Sequence, residues 1–222
     1  MNITEMKINA LVKEDIRLSS FFQEEKIDFC CNGHRILSEV LSEKNLDPND
    51  FTLRLEAFQK ALDEKGQKDD FFNHMDNEEL IHYIVSTHHS FTRSVLRELD
   101  VFTSAILRAH YREDRELLLA VNDLYGSLRK ELLEHLIKEE ADLFPLILEG
   151  RFEEAKKEIE ITEDEHDAAG NLLAKLRQVT KDYTLPGYAC NTFEACYHHL
   201  EALESDLFRH IFLENSILFE RF

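Results

Sequence analysis

Proline and glycine are scarce in this chain, three and six residues out of 222. So few turn-formers exclude a loop-rich or many-stranded fold, and alternating β-branched runs between turn clusters are missing as well. Positive charge is short too. Lysine and arginine number 26 against 45 aspartates and glutamates, a formal net charge of -19. That balance argues against nucleic acid and anionic membrane as partners, because both demand a basic face. No apolar run reaches spanning length and no charged-then-apolar leader opens the sequence, so no membrane association is expected and the cytoplasm is the expected compartment. The four cysteines (Cys30, Cys31, Cys190 and Cys196) follow neither a C-x-x-C nor a zinc-knuckle spacing. They argue against a structural zinc site and suit a compartment where thiols stay reduced.

What is plentiful is leucine, glutamate, lysine and alanine, the vocabulary of long helices. Residues 1–64 read as a small helical domain. One helix is predicted near Val12–Glu24, a turn at Cys30-Cys31-Asn32-Gly33, a second helix near Arg35–Lys44, and a third opened by Asp47 as cap with Pro48 at the first helical position. The polar, aperiodic run from Asp63 to Asp70 places an interdomain linker at 65–75. Residues 76–222 then read as an up-down four-helix bundle. Its first helix opens with a capping box, Asp76 and Glu79, before Leu80, Ile84, Val85, Val95, Leu96 and Leu99 recur at helical spacing. The second runs from about Arg115 to Glu149 and is closed by Gly150. The third spans Phe152–Lys181, with a restart at the Thr162–Glu165 capping box, and the fourth Thr192–Phe222.

Two stretches of the bundle read almost as copies. His135-Leu136-Ile137-Lys138-Glu139 is followed by Leu143-Phe144, and His210-Ile211-Phe212-Leu213-Glu214 by Leu218-Phe219. Spacing of one helical turn puts each imidazole and carboxylate on the same face. A duplicated N/O pair on apolar helix faces is costly to bury unless something binds it. The other two helices each carry histidine at comparable depth, in Thr87-His88-His89-Ser90 and in Glu163-Asp164-Glu165-His166-Asp167. Four imidazoles and two carboxylates leave open positions on two ions, which suits iron better than closed structural zinc. Periodicity leaves the first-helix ligand open: the seam Ile81, Val85, His88, Thr92, Val95 favours His88, whereas counting from Val85 and Leu96 favours His89. Glu131 and Glu165 are candidates to orient a ligand imidazole. The vicinal pair Cys30-Cys31 makes a poor disulfide and lies in a turn near a helix start, where a thiolate is favoured. Cys190 and Cys196 read as packing residues, and His110, His198 and His199 as surface or outer histidines.

These segments carry a resemblance. The order Asp-Phe-Cys-Cys-x-Gly, Thr-His-His-Ser-Phe-Thr-Arg, His-Leu-Ile-Lys-Glu-Glu-x3-Phe-Pro, Glu-His-Asp-x-Ala-Gly and His-x3-Glu-Asn-x3-Phe resembles the repair-of-iron-centres family over nearly the whole length. The resemblance implies an all-α protein, a hemerythrin-like four-helix bundle behind a small helical N-terminal domain. It implies two non-haem iron ions held by His89, His135, Glu139, His166, His210 and Glu214, with Glu139 and Glu214 bridging. It also implies thiol chemistry or transient iron handover at Cys30 and Cys31, and repair of iron–sulfur clusters damaged by nitric oxide or peroxide. The expected partners are damaged iron–sulfur proteins, small diatomic ligands such as oxygen and nitric oxide, and a second copy of the chain in a homodimer. Two other readings compete: a hemerythrin-like oxygen or nitric oxide sensor or store, and a reductase of nitric oxide or peroxide. Asn32 and Glu220 depart from the family pattern, where glycine and proline are frequent, and neither is an implied ligand.

Overall fold

The computed structural model describes residues 3–66 and 68–222; Gln67 of the polar run and residues 1–2 lie outside them. Among the described residues there is no β-strand, only an isolated bridge between Lys7 and Ile36. The chain divides into two compact units, residues 77–207 on the one hand and 1–76 with 208–222 on the other.

The larger unit is built from long helical rods. The first is α5 (Asn77–Tyr83), a π-helical turn at Ile84–His89, and α6 (Ser90–His110). The second is α7 (Arg115–Lys138), a π turn at Glu139–Leu143, and α8 (Phe144–Leu148). The third is α9 (Phe152–Thr180) and the fourth begins as α10 (Asn191–Phe212). Pairs across the rods fix their alternation. Tyr125 and Arg129 meet Asp100, Arg177 meets Glu204, and the first rod meets the fourth and the residue before it at His88–Asp206, Glu98–His199 and His110–Cys190. Ascending numbers on one rod meet descending numbers on the next, so successive rods run up and down. Leu99, Val121, Leu128, Leu173, Leu176 and Leu203 are among the residues that fill the interior, each contributing about 1.5–3 kcal/mol of transfer free energy.

Local chemistry sets the ends. The Asp114 side chain accepts from Leu117 N at 3.1 Å and caps α7. Gly150, at φ +73°, closes α8 in a left-handed turn with Arg151 N bonded to Leu146 O at 2.9 Å. One expectation fails: α9 does not restart at Thr162. Thr162 is buried inside a continuous helix, and the Glu165 side chain is engaged by His135 and Lys138 rather than by a helix start.

The smaller unit contains α1 (Ile8–Glu14), α2 (Ser19–Glu24), α3 (Leu37–Glu43), α4 (Pro48–Asp63), and the chain from Phe208 onward, including a π turn at Leu213–Leu218. The helix predicted near Val12–Glu24 is broken at Asp15. That carboxylate takes the Arg17 backbone N–H and guanidinium and the Asp69 N–H, offering the backbone an alternative to helix. Burial would raise the Asp15 carboxyl, but these donors hold it below its usual value. Pro48 opens α4 with Asp47 capping Asn49 and Asp50, as its sequence predicts. Residues on either side of Gln67 are tied down: Phe71–His74 forms a 3-10 turn, and Arg17 bonds the carbonyls of Leu62 and Gly66. Phe21 meets Phe51 edge to face and Phe58 at a tilt, and Phe29 packs against Phe208 and Phe212.

Candidate metal centre

Every helix-borne carboxylate in the implied donor set, and His89, falls on a π turn. Glu139 opens the turn at Glu139–Leu143, Glu214 lies in that at Leu213–Leu218, and His89 ends that at Ile84–His89. One extra residue in a turn re-aims the side chains around it, and such turns concentrate at functional sites.

In the larger unit, His89, His135, Glu139 and His166 come together in the interior. Glu139, 1% exposed, is the hub. Its Oε2 lies 3.3 Å from His89 Nε2, and its Oε1 lies 3.3 Å from His135 Nε2 and 3.9 Å from His166 Nε2. The Nε2 atoms of His135 and His166 are 3.2 Å apart, with the rings steeply inclined. In the smaller unit, fully buried His210 and Glu214 face each other one helical turn apart, Nε2 to Oε1 at 3.0 Å.

Carboxylates behind the histidines fix how the rings present themselves. His89 Nδ1–H donates to Glu140 at 2.7 Å, and Arg93 donates to the same oxygen at 2.8 Å. His135 Nδ1–H donates to Glu165 at 3.0 Å, and Lys138 pairs with the other Glu165 oxygen. The His135 hydrogen bond, with Lys138 behind it, holds the Glu165 carboxyl down at about 2. Burial would raise Glu140, but Arg93 and His89 hold it below its ordinary value. Two ionised acceptors on Nδ1–H leave the Nε2 lone pairs turned toward Glu139, the tautomer a metal requires. Of the two outer carboxylates expected from the sequence, Glu165 meets His135 rather than its neighbour His166, while Glu131 is exposed. Glu140 was not foreseen; its only signal is a second carboxylate directly after Glu139.

His88 goes elsewhere. Its Nδ1 pairs with Asp206 at 3.0 Å and its ring meets Tyr83 edge-on, so it is His89 that faces Glu139. His199 is held by Ala195 O and Glu98. His110 is buried rather than on the surface, and of the two late cysteines only Cys196 is packed inside; Cys190 is exposed.

The cysteine pair is built around Asp28. Its Oδ1 accepts from the backbone N–H of Cys30 and Cys31, both at 3.0 Å, and from the Cys30 thiol at 3.3 Å; its Oδ2 accepts from Asn32. Gly33 is required behind this turn: a Cβ there would lie 2.2 Å from Phe29 O and 2.9 Å from Asn9 Cβ. Both thiols are free, with sulfurs 3.7 Å apart. The expectation of a favoured thiolate fails at Cys30. Burial, then Cys31 and Asp28, push its thiol well up, while Cys31 is half-exposed.

The donor chemistry fits a cation. Burying an ionised carboxylate costs several kcal/mol unless it is compensated, and here Glu139 is surrounded by imidazole nitrogens, those of His89 and His135 with their protons held on the far side. Nitrogen and oxygen donors without thiolate suit iron or a similar divalent ion, not a closed thiolate zinc site. No helix of the described residues is long and apolar enough to cross a membrane.

Comparison with known proteins agrees with this geometry. Residues 80–222 match the hemerythrin HHE cation binding domain, and residues 4–59 match a domain of unknown function, DUF542. The chain is 32% identical over 221 residues, all of its own length and 98% of the relative's, to the iron-sulfur cluster repair protein YtfE of Yersinia pestis (strain Pestoides F). The same figures hold for the YtfE of Yersinia pseudotuberculosis serotype O:1b (strain IP 31758). The chain thus belongs to the repair-of-iron-centres family, an all-α protein in which a hemerythrin HHE cation-binding domain follows a small helical N-terminal domain.

Proposed function

We propose that this protein restores damaged iron–sulfur clusters through a pair of iron ions held by His89, His135, Glu139, His166, His210 and Glu214. The observation that carries the reading is the convergence of His89, His135 and His166 on the two oxygens of a buried Glu139. It is supported by full-length similarity to relatives named for iron-sulfur cluster repair. The cation-binding family model runs from 80 to 222 and so includes both donor sets. On this reading Glu139 and Glu214 would be the carboxylates shared by the two ions.

A bound iron pair would supply exchangeable ferrous and ferric iron, the commodity a broken cluster lacks. The chain's own residues do the rest. Glu140 and Glu165 keep Nδ1 protonated on His89 and His135, which holds Nε2 ready for metal. The packed interior around the donors excludes bulk water. Phe29 anchors the Cys30-Cys31 turn to Phe208 and Phe212, which flank His210 along the chain. In that position the half-exposed Cys31 is the sulfur suited to meet iron first, with Cys30 protonated behind it. The clients are iron–sulfur proteins damaged by oxidative or nitrosative stress, and the setting is the cytoplasm.

The test is reactivation. A cluster enzyme inactivated with nitric oxide is incubated with anaerobically purified protein or with the His135→Ala/His210→Ala variant. Wild type carrying about two irons per chain restores activity, and the variant, poor in iron, does not. Equal recovery with both proteins removes the repair role.

A further inference from the structure

α6 spans 21 residues, about 30 Å of helix, and its far end from His89 carries a second arrangement of reactive groups. Cys190 immediately precedes α10, and its thiol is exposed. His110 Nε2 lies 3.2 Å from the Cys190 sulfur. The His110 ring is itself buried, packed between Tyr188 at 5.5 Å and Phe193 at 5.7 Å, so its aim at the sulfur is fixed by packing. The backbone N–H groups of Thr192 and Phe193, in the first turn of α10, also point at the sulfur. A nucleophile on the surface, a base held rigidly against it from another helix, and helix amides that favour negative charge are the parts of an activated thiol.

We propose that Cys190 and His110 form a second reactive site, at which the Cys190 sulfur undergoes thiol–disulfide exchange with small disulfides. The Cys190 thiolate attacks one sulfur of R–S–S–R. The old S–S bond breaks as the Cys190–S–S–R bond forms, and the leaving thiolate takes the proton that the His110 imidazolium had drawn from Cys190. The Cys190 sulfur is oxidised and the departing sulfur reduced. Cys196 cannot resolve the product, because it is buried and burial pushes its thiol up to about 12. The mixed disulfide therefore persists until an external thiol displaces Cys190 by a second exchange.

The electrostatics agree with the geometry. His110 and the helix amides lower the Cys190 thiol to about 7, where an attacking thiol is near its optimum at neutral pH. Around His110 the facing titratable groups are Cys190 itself and Tyr188, with Asp114 and Glu113 beyond Tyr188. Burial and those two acids raise the tyrosine, which stays neutral.

The full-length protein is titrated with dithiodipyridine between pH 5.5 and 9, the released thione is followed by absorbance, and the modified cysteine is mapped by mass spectrometry. Cys190 is expected to react first, with one equivalent in the fast phase, a rate inflection near pH 7, and no fast phase in Cys190→Ser. His110→Gln should move the inflection upward and slow capture at pH 7 roughly three- to fivefold, the net of lost thiolate and increased nucleophilicity. Should His110→Gln not fold, the wild-type profile decides alone. Capture at Cys31 before Cys190, an inflection near the unperturbed thiol value of about 8.5, or a fast phase surviving in Cys190→Ser overturns the proposal.

Discussion

Replacing Glu165 by glutamine tests whether the aim of His135 matters to metal. Glutamine keeps the shape and offers an acceptor oxygen to His135 Nδ1, now 3.0 Å from the carboxylate, but it loses the charge. Two interactions are therefore altered together. The Lys138 pair is half-exposed on the lysine side, and such pairs are worth about 0–1 kcal/mol. The bond to His135 is sheltered, and losing an outer partner of a ligating histidine costs about 10–100-fold in metal affinity, roughly 1.4–2.7 kcal/mol. Glu165→Gln should accordingly weaken ferrous iron binding about 10–100-fold at one position of the pair. Lys138→Met, which removes only the surface partner, should weaken it less than about fivefold. The assay is anaerobic competition with a chromophoric ferrous chelator, with a circular-dichroism melt of each metal-free variant to check folding. If Glu165→Gln binds iron within about twofold of wild type, or no worse than Lys138→Met, then His135 is not held for metal by this carboxylate.

The two adjacent histidines should separate cleanly. His89→Ala is expected to lose at least about half the bound iron, whereas His88→Ala, which forfeits the Asp206 pair and the Tyr83 contact, keeps full loading by metal analysis. Removing Arg177 strands Glu204, a carboxylate 1% exposed whose Oε1 lies 2.6 Å from the guanidinium. Breaking such a pair costs about 3–5 kcal/mol, so Arg177→Met should lower the melting temperature by roughly 6–20 °C. Burial already raises the Glu204 carboxyl above 4.5 and Arg177 pulls it back. Loss of Arg177 raises it further, so the deficit must grow as pH rises above about 4.5 and shrink in acid; a deficit equal at pH 5 and pH 8 contradicts the account. Gly33→Ala drives a methyl into Phe29 O and should destabilise the cysteine turn by at least about 1–3 kcal/mol, seen as faster exchange of the Cys30 and Cys31 amides.

The repeated His-x-x-x-Glu pattern and the helical stripes around it made the rods and most of the donor residues legible in the sequence. What periodicity left open was His88 against His89, and the reason is physical. Ile84–His89 is a π turn, and its extra residue breaks the 3.6-residue phase, so the seam through Ile81, Val85, Thr92 and Val95 gives His88 while counting from Val85 and Leu96 gives His89. The break at Asp15 was hidden because its carboxylate finds donors both nearby and as far away as Asp69. Thr162 misled in the opposite direction: a capping-box pattern carries no force where Glu165 is engaged by His135 and Lys138. The Cys190–His110 pair joins residues from opposite ends of two rods, and no local pattern announces it.

The π turns make the centre vulnerable to length rather than to chemistry. Deleting one residue from Ile84–His89 would let the backbone relax into an ordinary helix. The side chains of the turn, His89 among them, would then lose the aim that the extra residue gives them. Single-codon losses in these three short segments should therefore be as damaging as replacing a ligand outright.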